Sequence, residues 1–173
     1  MAGSARSQST DPFLMNRFQV VDTEGFLNLS TPAAGFQTCT MPQITLETHE
    51  YSEGIWTYRR KFPGTATFDD ISMTKGVVKN DSSFFAWLRA GAEGYAYRTT
   101  ITIKHYHRDD ITGLLDFSSA TPYRQLICYN AIPVTAKMGS DFDAMGSDIS
   151  IEDFTFSYEY LRMTVNGQDV TPR

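Results

Sequence analysis

Between Phe62 and Leu88 the chain sets out a compact folding plan. Phe62-Pro63-Gly64 reads as a turn. Proline presets φ at its first central position and glycine takes the positive φ that a type II turn needs at the second. Thr67 to Lys75 then alternates, with Ile71 and Met73 on one face and Ser72 and Thr74 on the other, the period of a half-buried strand. Gly76 interrupts it. Asp81 or Ser82 can accept hydrogen bonds from the free amides of a first helical turn, and Phe84, Phe85, Trp87 and Leu88 give that helix its apolar face. It runs to about Arg89, with Gly91 or Gly94 as its stop.

The two-residue period recurs on both sides of this segment. A first strand covers residues 13–22, with Phe18 and Val20 in phase, and closes at Thr23-Glu24-Gly25. A long second strand covers 36–51, its phase shifted at Pro42, since a proline inside a strand marks an edge or a bulge. His49-Glu50-Tyr51-Ser52-Glu53-Gly54 is polar and ends in glycine, a turn or extended loop that leads into a strand over Ile55–Phe62. From Tyr95 to His107, Tyr95, Tyr97, Ile101 and Ile103 fall on one side and Arg98, Thr100, Thr102 and Lys104 on the other. Arg108 to Gly113 reads as a turn. A further strand runs from Tyr123 to about Ile132, where Pro133 ends it, and a last one from Ile149 to Val165. About seven strands and one short flanking α-helix predict a mainly β domain, an antiparallel sandwich or barrel. The domain spans 13–165, between a flexible polar arm at 1–12 and a tail at 166–173.

Composition excludes several classes. Twelve Phe, nine Tyr and two Trp favour strands and a substantial core. No run reaches the ~18–20 apolar residues of a membrane span. The opening lacks the apolar middle of a secretory signal, so synthesis and folding in a cytosol are expected, with no membrane insertion. A net charge of −5 without a basic stripe argues against a nucleic-acid reader. Cys39 and Cys128 lie far apart without zinc-type spacing and read as buried small hydrophobes.

Catalytic and metal patterns are weak. His105 and His107 point to one face of a strand, and a metal there would need a third ligand brought by the fold; two solvent-facing histidines at a strand end is the simpler account. Asp141-Phe142-Asp143-Ala144-Met145-Gly146 with Glu152 approaches a calcium loop but puts Met145 where an oxygen belongs. No nucleophile elbow, phosphate loop or dinucleotide fingerprint occurs. The chain is not expected to be an enzyme, and no cofactor or metal is expected.

The order of motifs from about Phe18 to Tyr160 resembles the tail tube (inner tube) proteins of contractile-tailed phages and extracellular contractile injection systems. The resemblance is carried by Glu50-Tyr51-Ser52-Glu53-Gly54, Pro63-Gly64, Ile71 to Gly76, the Phe84–Trp87 helix, Asn130-Ala131-Ile132-Pro133 and Ile149-Ser150-Ile151-Glu152. It implies hexameric rings that stack into a tube, with a lumen for cargo protein or DNA. Its partners would be further copies of itself, a sheath, a baseplate with its spike, and terminator proteins. The place implied is the bacterial cytoplasm during assembly, then a released injection particle or virion tail. Within that scheme His49, Glu50, Tyr51, Ser52, Glu53 and Gly54 are candidates for ring stacking. Candidate lumen faces are Arg98, Thr100, Thr102 and Lys104, or Thr38, Thr40, Thr45 and Glu47; either set could be a plain solvent face. Pro63, Gly64, Ile71, Gly76, Trp87, Asn130 and Pro133 are the residues expected to hold the fold. The alternatives are a hexameric tube protein like that of type VI secretion, or a small-ligand β barrel with aromatics lining its pocket.

Overall fold

The computed structural model describes residues 12–27, 35–107 and 121–170. Nearly all of the expected arm, the turn at 108–113 and the last three residues of the tail lie outside them. The strands are β1 (Phe18–Asp22), β2 (Phe36–Cys39), β3 (Ile44–Tyr51), β4 (Arg60–Phe68), β5 (Ile71–Gly76), β6 (Thr99–His105), β7 (Arg124–Lys137), β8 (Ile151–Ser157), β9 (Tyr160–Val165) and β10 (Gln168–Asp169), with helix α1 (Ser83–Glu93) between β5 and β6. Every pairing is antiparallel, and the fold class is the mainly β sandwich expected, with one helix.

Two layers share β7. Its first part, Arg124 to Ala131, lies between β6 and β9, with β1 beyond β6 and β10 beyond β9. From Ile132 to Lys137 it pairs with β8, which pairs with β5, which pairs with β2. A strand can turn a sandwich corner where a bulge bends it. Here Asn130 takes φ 54° and the β6 register slips between Thr99 and Ile101, so Cys128 and Ala131 both face the core. A second slip follows between Pro133 and Thr135. Pro133 therefore bends the strand without ending it, because its missing amide falls at an irregular step of the ladder. A β-branched residue tolerates positive φ poorly. Asn130→Val is expected to lower the unfolding free energy by about 1–3 kcal/mol, and Asn130→Gly by under ~1 kcal/mol, in urea denaturation.

Several sequence expectations shift. Pro63 and Gly64 sit inside β4 and make no turn: Thr48 pairs with Pro63 and Leu46 with Ala66, leaving an extra residue as a bulge. Glycine fits because a Cβ there would stand 2.6 Å from Nε2 of the His49 ring. The reversal lies instead at residues 52–59, so the strand expected over Ile55–Phe62 begins only at Arg60. The long strand Thr67–Lys75 is divided at Asp69-Asp70, and 36–51 is divided around Pro42. Residues 95–98 precede β6, and the last strand breaks at Tyr158-Glu159. Past Val165 the chain turns through Asn166 (φ 49°) and Gly167 (φ 74°) into β10. Two central residues with positive φ are what an Asn-Gly hairpin provides.

The core lies between the layers. Val20, Ile101, Ile103, Leu126 and Cys128 meet Ile71, Met73, Phe154 and Phe156, all buried. Helix α1 closes one side. The Phe84 ring stacks on Phe154 at 4.5 Å, and fully buried Trp87 lies 5.1 Å from the same ring. Trp87 Nε1 donates to the Tyr97 carbonyl at 2.5 Å, satisfying its polar edge. Two such side chains out of water contribute roughly 3–6 kcal/mol between them. The helix ends at Gly94, which takes the left-handed φ of 79° that favours glycine, and the Asp81 carboxylate accepts from the Ser83 amide at its start.

Candidate functional site

Strands β3 and β4 form a two-stranded hairpin that pairs with no other strand among the described residues. Every residue of β3 is exposed, and so is every residue of β4 except Gly64 and Phe68. The hairpin prolongs β2 and β5 outward: Thr40 donates to the Ser72 carbonyl, and Asp69 to that of Gln43, across the junction. At ~3.3 Å per residue its arm reaches about 25 Å beyond the sandwich. One face carries Ile44 and Leu46, 53% and 52% exposed, in line with the core-facing side of Phe68. The other carries Thr45, Glu47 and Thr67. A two-stranded ribbon with an exposed apolar face is marginal in water by itself and calls for a covering surface.

The residues expected to stack rings divide between two elements. His49, Glu50 and Tyr51 end β3, while Ser52, Glu53 and Gly54 open the tip, and all six lie at the arm's far end. The tip also holds Trp56 and Tyr58, with rings 5.4 Å apart, and Arg60 over Trp56 at 5.3 Å. The sequence reading left these aromatic and basic residues out because it treated 55–62 as an ordinary strand.

The two candidate lumen sets fall on different layers. Thr100, Thr102 and Lys104 are half-buried on the outer side of β6, beside Val21 and Ile127. Arg98 precedes the strand and pairs with Glu159 at 2.5 Å. Thr38 belongs to the outer face of the layer β7-β8-β5-β2, with Thr40 just past its edge, and Thr45 and Glu47 continue onto the arm. Around Thr38 that face also presents Ser72, Thr74, Thr135, Thr155 and Ser157, with Asp153 opposite Lys137. Hydroxyls bond across strands, Thr38 to Thr74 at 2.6 Å and Ser72 to Thr155 at 2.9 Å. Each such pair contributes some tenths of a kcal/mol, about 0.2–1. This layer's outer strands, β2 and residues 132–137 of β7, have no partner on their far sides among the described residues.

Beneath the layer lies an ion cluster that sequence inspection did not find. Lys75 is 2% exposed, with Nζ 2.5 Å from Asp81, 3.7 Å from Glu152 and 3.3 Å from Ser83 Oγ, and 4.0 Å from the centre of the Phe84 ring. Burial pushes the Asp81 carboxyl up, but bonds from Lys75 and Ser83 outweigh it and hold Asp81 below its ordinary value. Burial wins at Glu152 and raises it, against the attraction of Lys75.

Glu152 is thus committed to Lys75 and removed from any calcium loop, and the Asp143 carboxylate accepts from the Met145 amide. His107 is buried, and the Phe13 ring lies 4.8 Å from His105 and 5.0 Å from His107, so the pair is not solvent-facing. The described residues contain no group of three His, Cys, Asp or Glu side chains able to hold a metal ion. No helix among them is long and apolar enough to cross a membrane. Both cysteines are free, Cys128 buried and Cys39 half-buried, and burial lifts each thiol to about 12. Core aromatics stack on one another, Phe84 on Phe154 and Phe154 on Phe156. An apolar cleft of about 420 Å³ opens where β1 and β2 approach, lined by Met15, Phe18, Cys39, Met41 and Ile103.

The family model of the T4-like virus tail tube protein gp19 matches residues 15–162. By structure the chain is similar to the anti-feeding prophage cap (AFP tube terminating cap), at 20% identity and a TM-score of 0.71 over 95% of this chain and 99% of that one. It is similar to a chain of the PVC sheath–tube complex in its extended state, an extracellular contractile injection system, at 21% identity and 0.72 over 91% and 95%. A chain of the anti-feeding prophage baseplate shares 17% identity and a TM-score of 0.68 over 92% and 99%. No curated protein matches. The chain thus shares their fold.

Proposed function

The chain belongs to the family of the T4-like virus tail tube protein gp19 and is a structural tube protein, and we propose that six copies close into a ring and that rings stack into the inner tube of a contractile injection system or contractile phage tail. The observation that carries the ring is the arm, which offers Ile44 and Leu46 to a neighbour and is left uncovered by the described residues. The edges of β2 and β7, unpaired among the described residues, support closure, because edge-to-edge pairing of successive copies removes two aggregation-prone edges at once. Closure in that sense turns the outer face of β7-β8-β5-β2 toward the axis. Thr38, Thr40, Thr45 and Glu47 then line the lumen, and Arg98, Thr100, Thr102 and Lys104 do not. A hydroxyl wall is wetted by water and grips no passenger tightly, which suits a conduit for cargo protein or DNA.

The work is mechanical, with no residue performing covalent chemistry. A sheath surrounds the tube, a baseplate and spike start it and a terminator ends it. Assembly takes place in the bacterial cytoplasm, and the tube then leaves as part of a released particle or virion tail. Negative-stain electron microscopy of purified protein across a concentration series tests this. Rings with a central hole, or stacked tubes, are expected; monomer mass at every concentration, even with sheath and baseplate proteins present, would overturn it.

A further inference from the structure

We propose that rings stack head to tail by seating the basic, aromatic arm tip of one copy on the acidic, apolar loop 138–149 of a copy in the next ring. The pairing rests on the stacked-ring assembly proposed above and names the surface that receives the arm.

The two surfaces lie at opposite ends of one layer. The arm leaves β5 at Ile71, whereas Gly76, at the far end of β5, pairs with Ile151, and the Val77 amide donates to the Ser150 carbonyl at 2.9 Å. Loop 138–149 joins β7 to β8 at that far end. It is anchored there: Ser140 donates its amide to Ser150 Oγ, and Ile151 donates to Ser140 Oγ, both at 3.1 Å. Translating a copy along the strand direction therefore brings a tip toward a loop, never a tip toward a tip. A contact between two different patches propagates without closing, as a stack of rings needs.

Composition matches across the gap. On the loop, Phe142, Met145 and Ile149 are 102%, 96% and 78% exposed, an apolar cluster that no other described residue covers. Asp141, Asp143 and Asp148 surround it, and Lys137, 3.6 Å from Asp141, is the cation paired with them among the described residues. On the tip, Arg59, Arg60 and Lys61 stand against Glu50 and Glu53: Arg59 is 3.0 Å and Lys61 3.7 Å from Glu50, so both share one carboxylate, and Arg60 is 3.9 Å from Glu53. The tip keeps a surplus cation and the loop surplus carboxylates. Ile55, Trp56 and Tyr58 give the tip an exposed apolar surface to meet Phe142. Opposite charge fixes orientation and register while the apolar contacts supply affinity.

The test reverses the charges. Asp141→Lys with Asp148→Lys on the loop, or Arg59→Glu with Lys61→Glu on the arm, is expected to leave rings intact and to raise the concentration needed for tubes about tenfold or more. Joining all four substitutions in one chain is expected to bring it back to within about threefold of the original. Loop or arm variants that form tubes as the unsubstituted chain does, or a combination no better than either half, would overturn the pairing while leaving stacking intact. Should a variant misfold, a disulfide test replaces it. Tubes co-assembled from a Tyr58→Cys chain and a Phe142→Cys chain are expected to cross-link across rings on oxidation, and absence of that cross-link overturns the pairing. If the unsubstituted chain forms no tubes at all, the proposed assembly itself fails, and the pairing with it.

Discussion

Replacing Lys75 by methionine is expected to cost about 3–5 kcal/mol of folding stability and to lower the melting temperature by roughly 10 °C. Methionine fills most of the lysine's volume, so packing against Phe84 survives. What is lost is the cation between Asp81 and Glu152, two carboxylates with side chains only 11% and 9% exposed. Leaving buried charge uncompensated is what makes removal of one partner severe, whatever the net worth of the intact cluster. Adding Glu152→Gln to Lys75→Met is therefore expected to recover part of the loss.

The pH dependence carries a sign that can be checked. Glu152 is raised above its ordinary 4.5, so the folded chain binds its proton more readily than the unfolded one. Stability then rises as pH falls from neutral through the raised value toward 4.5. Asp81 is held below its ordinary 3.8, and its contribution, complete above that value, is lost as pH falls further. Without Lys75 both carboxylates are raised, so the variant should regain more on mild acidification than the parent does. Urea midpoints at neutral pH and near pH 5 measure this. A Lys75→Met deficit that stayed constant between them would contradict the cluster as described.

Ile44→Glu with Leu46→Glu is expected to suppress ring and tube formation at concentrations where the unsubstituted chain assembles, while changing the stability of the monomer by under ~1 kcal/mol. Both side chains are half exposed in the isolated chain, so little core contact is lost. A neighbour covering the exposed halves gains about 1 kcal/mol from each, and a carboxylate placed there adds its own desolvation cost. Repeated at each interface of a ring, this raises the concentration needed for assembly about a hundredfold. Thr45→Ser, on the polar face of the same strand, serves as the control and is expected to assemble normally. Light scattering with electron microscopy reads assembly, and urea denaturation reads the fold. Normal rings from the double variant would mean that the apolar face of the arm is not the contact.

Much of the fold was legible as period and punctuation. The parity of Ile71 and Met73 against Ser72 and Thr74 gave the faces of β5 correctly, and Ile101 and Ile103 gave those of β6. The helix was recognised from Phe84 and Trp87, with Gly94 one of its two candidate stops. Punctuation misled at prolines. Pro63-Gly64 has the chemistry of a turn, yet the same pair fits a bulge, and the choice depends on His49 and Glu47 arriving from across the ladder. Pro133 reads as an end because a lone strand cannot show that its missing N–H falls at an irregular step of the ladder. The Asn166-Gly167 hairpin was readable from its dipeptide and was missed by treating the segment as tail. Of the candidate site, His49 to Gly54 reads in the sequence as a turn or extended loop, with a stacking role implied only by the family resemblance, and the roles of the two lumen sets stay open.

By itself the sequence determined what is local and repeated: a β-rich chain, the buried parity of β1, β5, β6 and β8, a helix after β5, and a family resemblance carried by ordered motifs. These follow from side-chain alternation and backbone preference, which act within a few residues. Only the tertiary structure decided which strands became neighbours. That choice sent β3 and β4 outward as an arm, gathered the hydroxyls of β2, β5, β7 and β8 onto one face, and brought Lys75, Asp81 and Glu152 together under it. Pairing between strands distant in sequence is settled by collective burial of the core, and no local pattern encodes that sum.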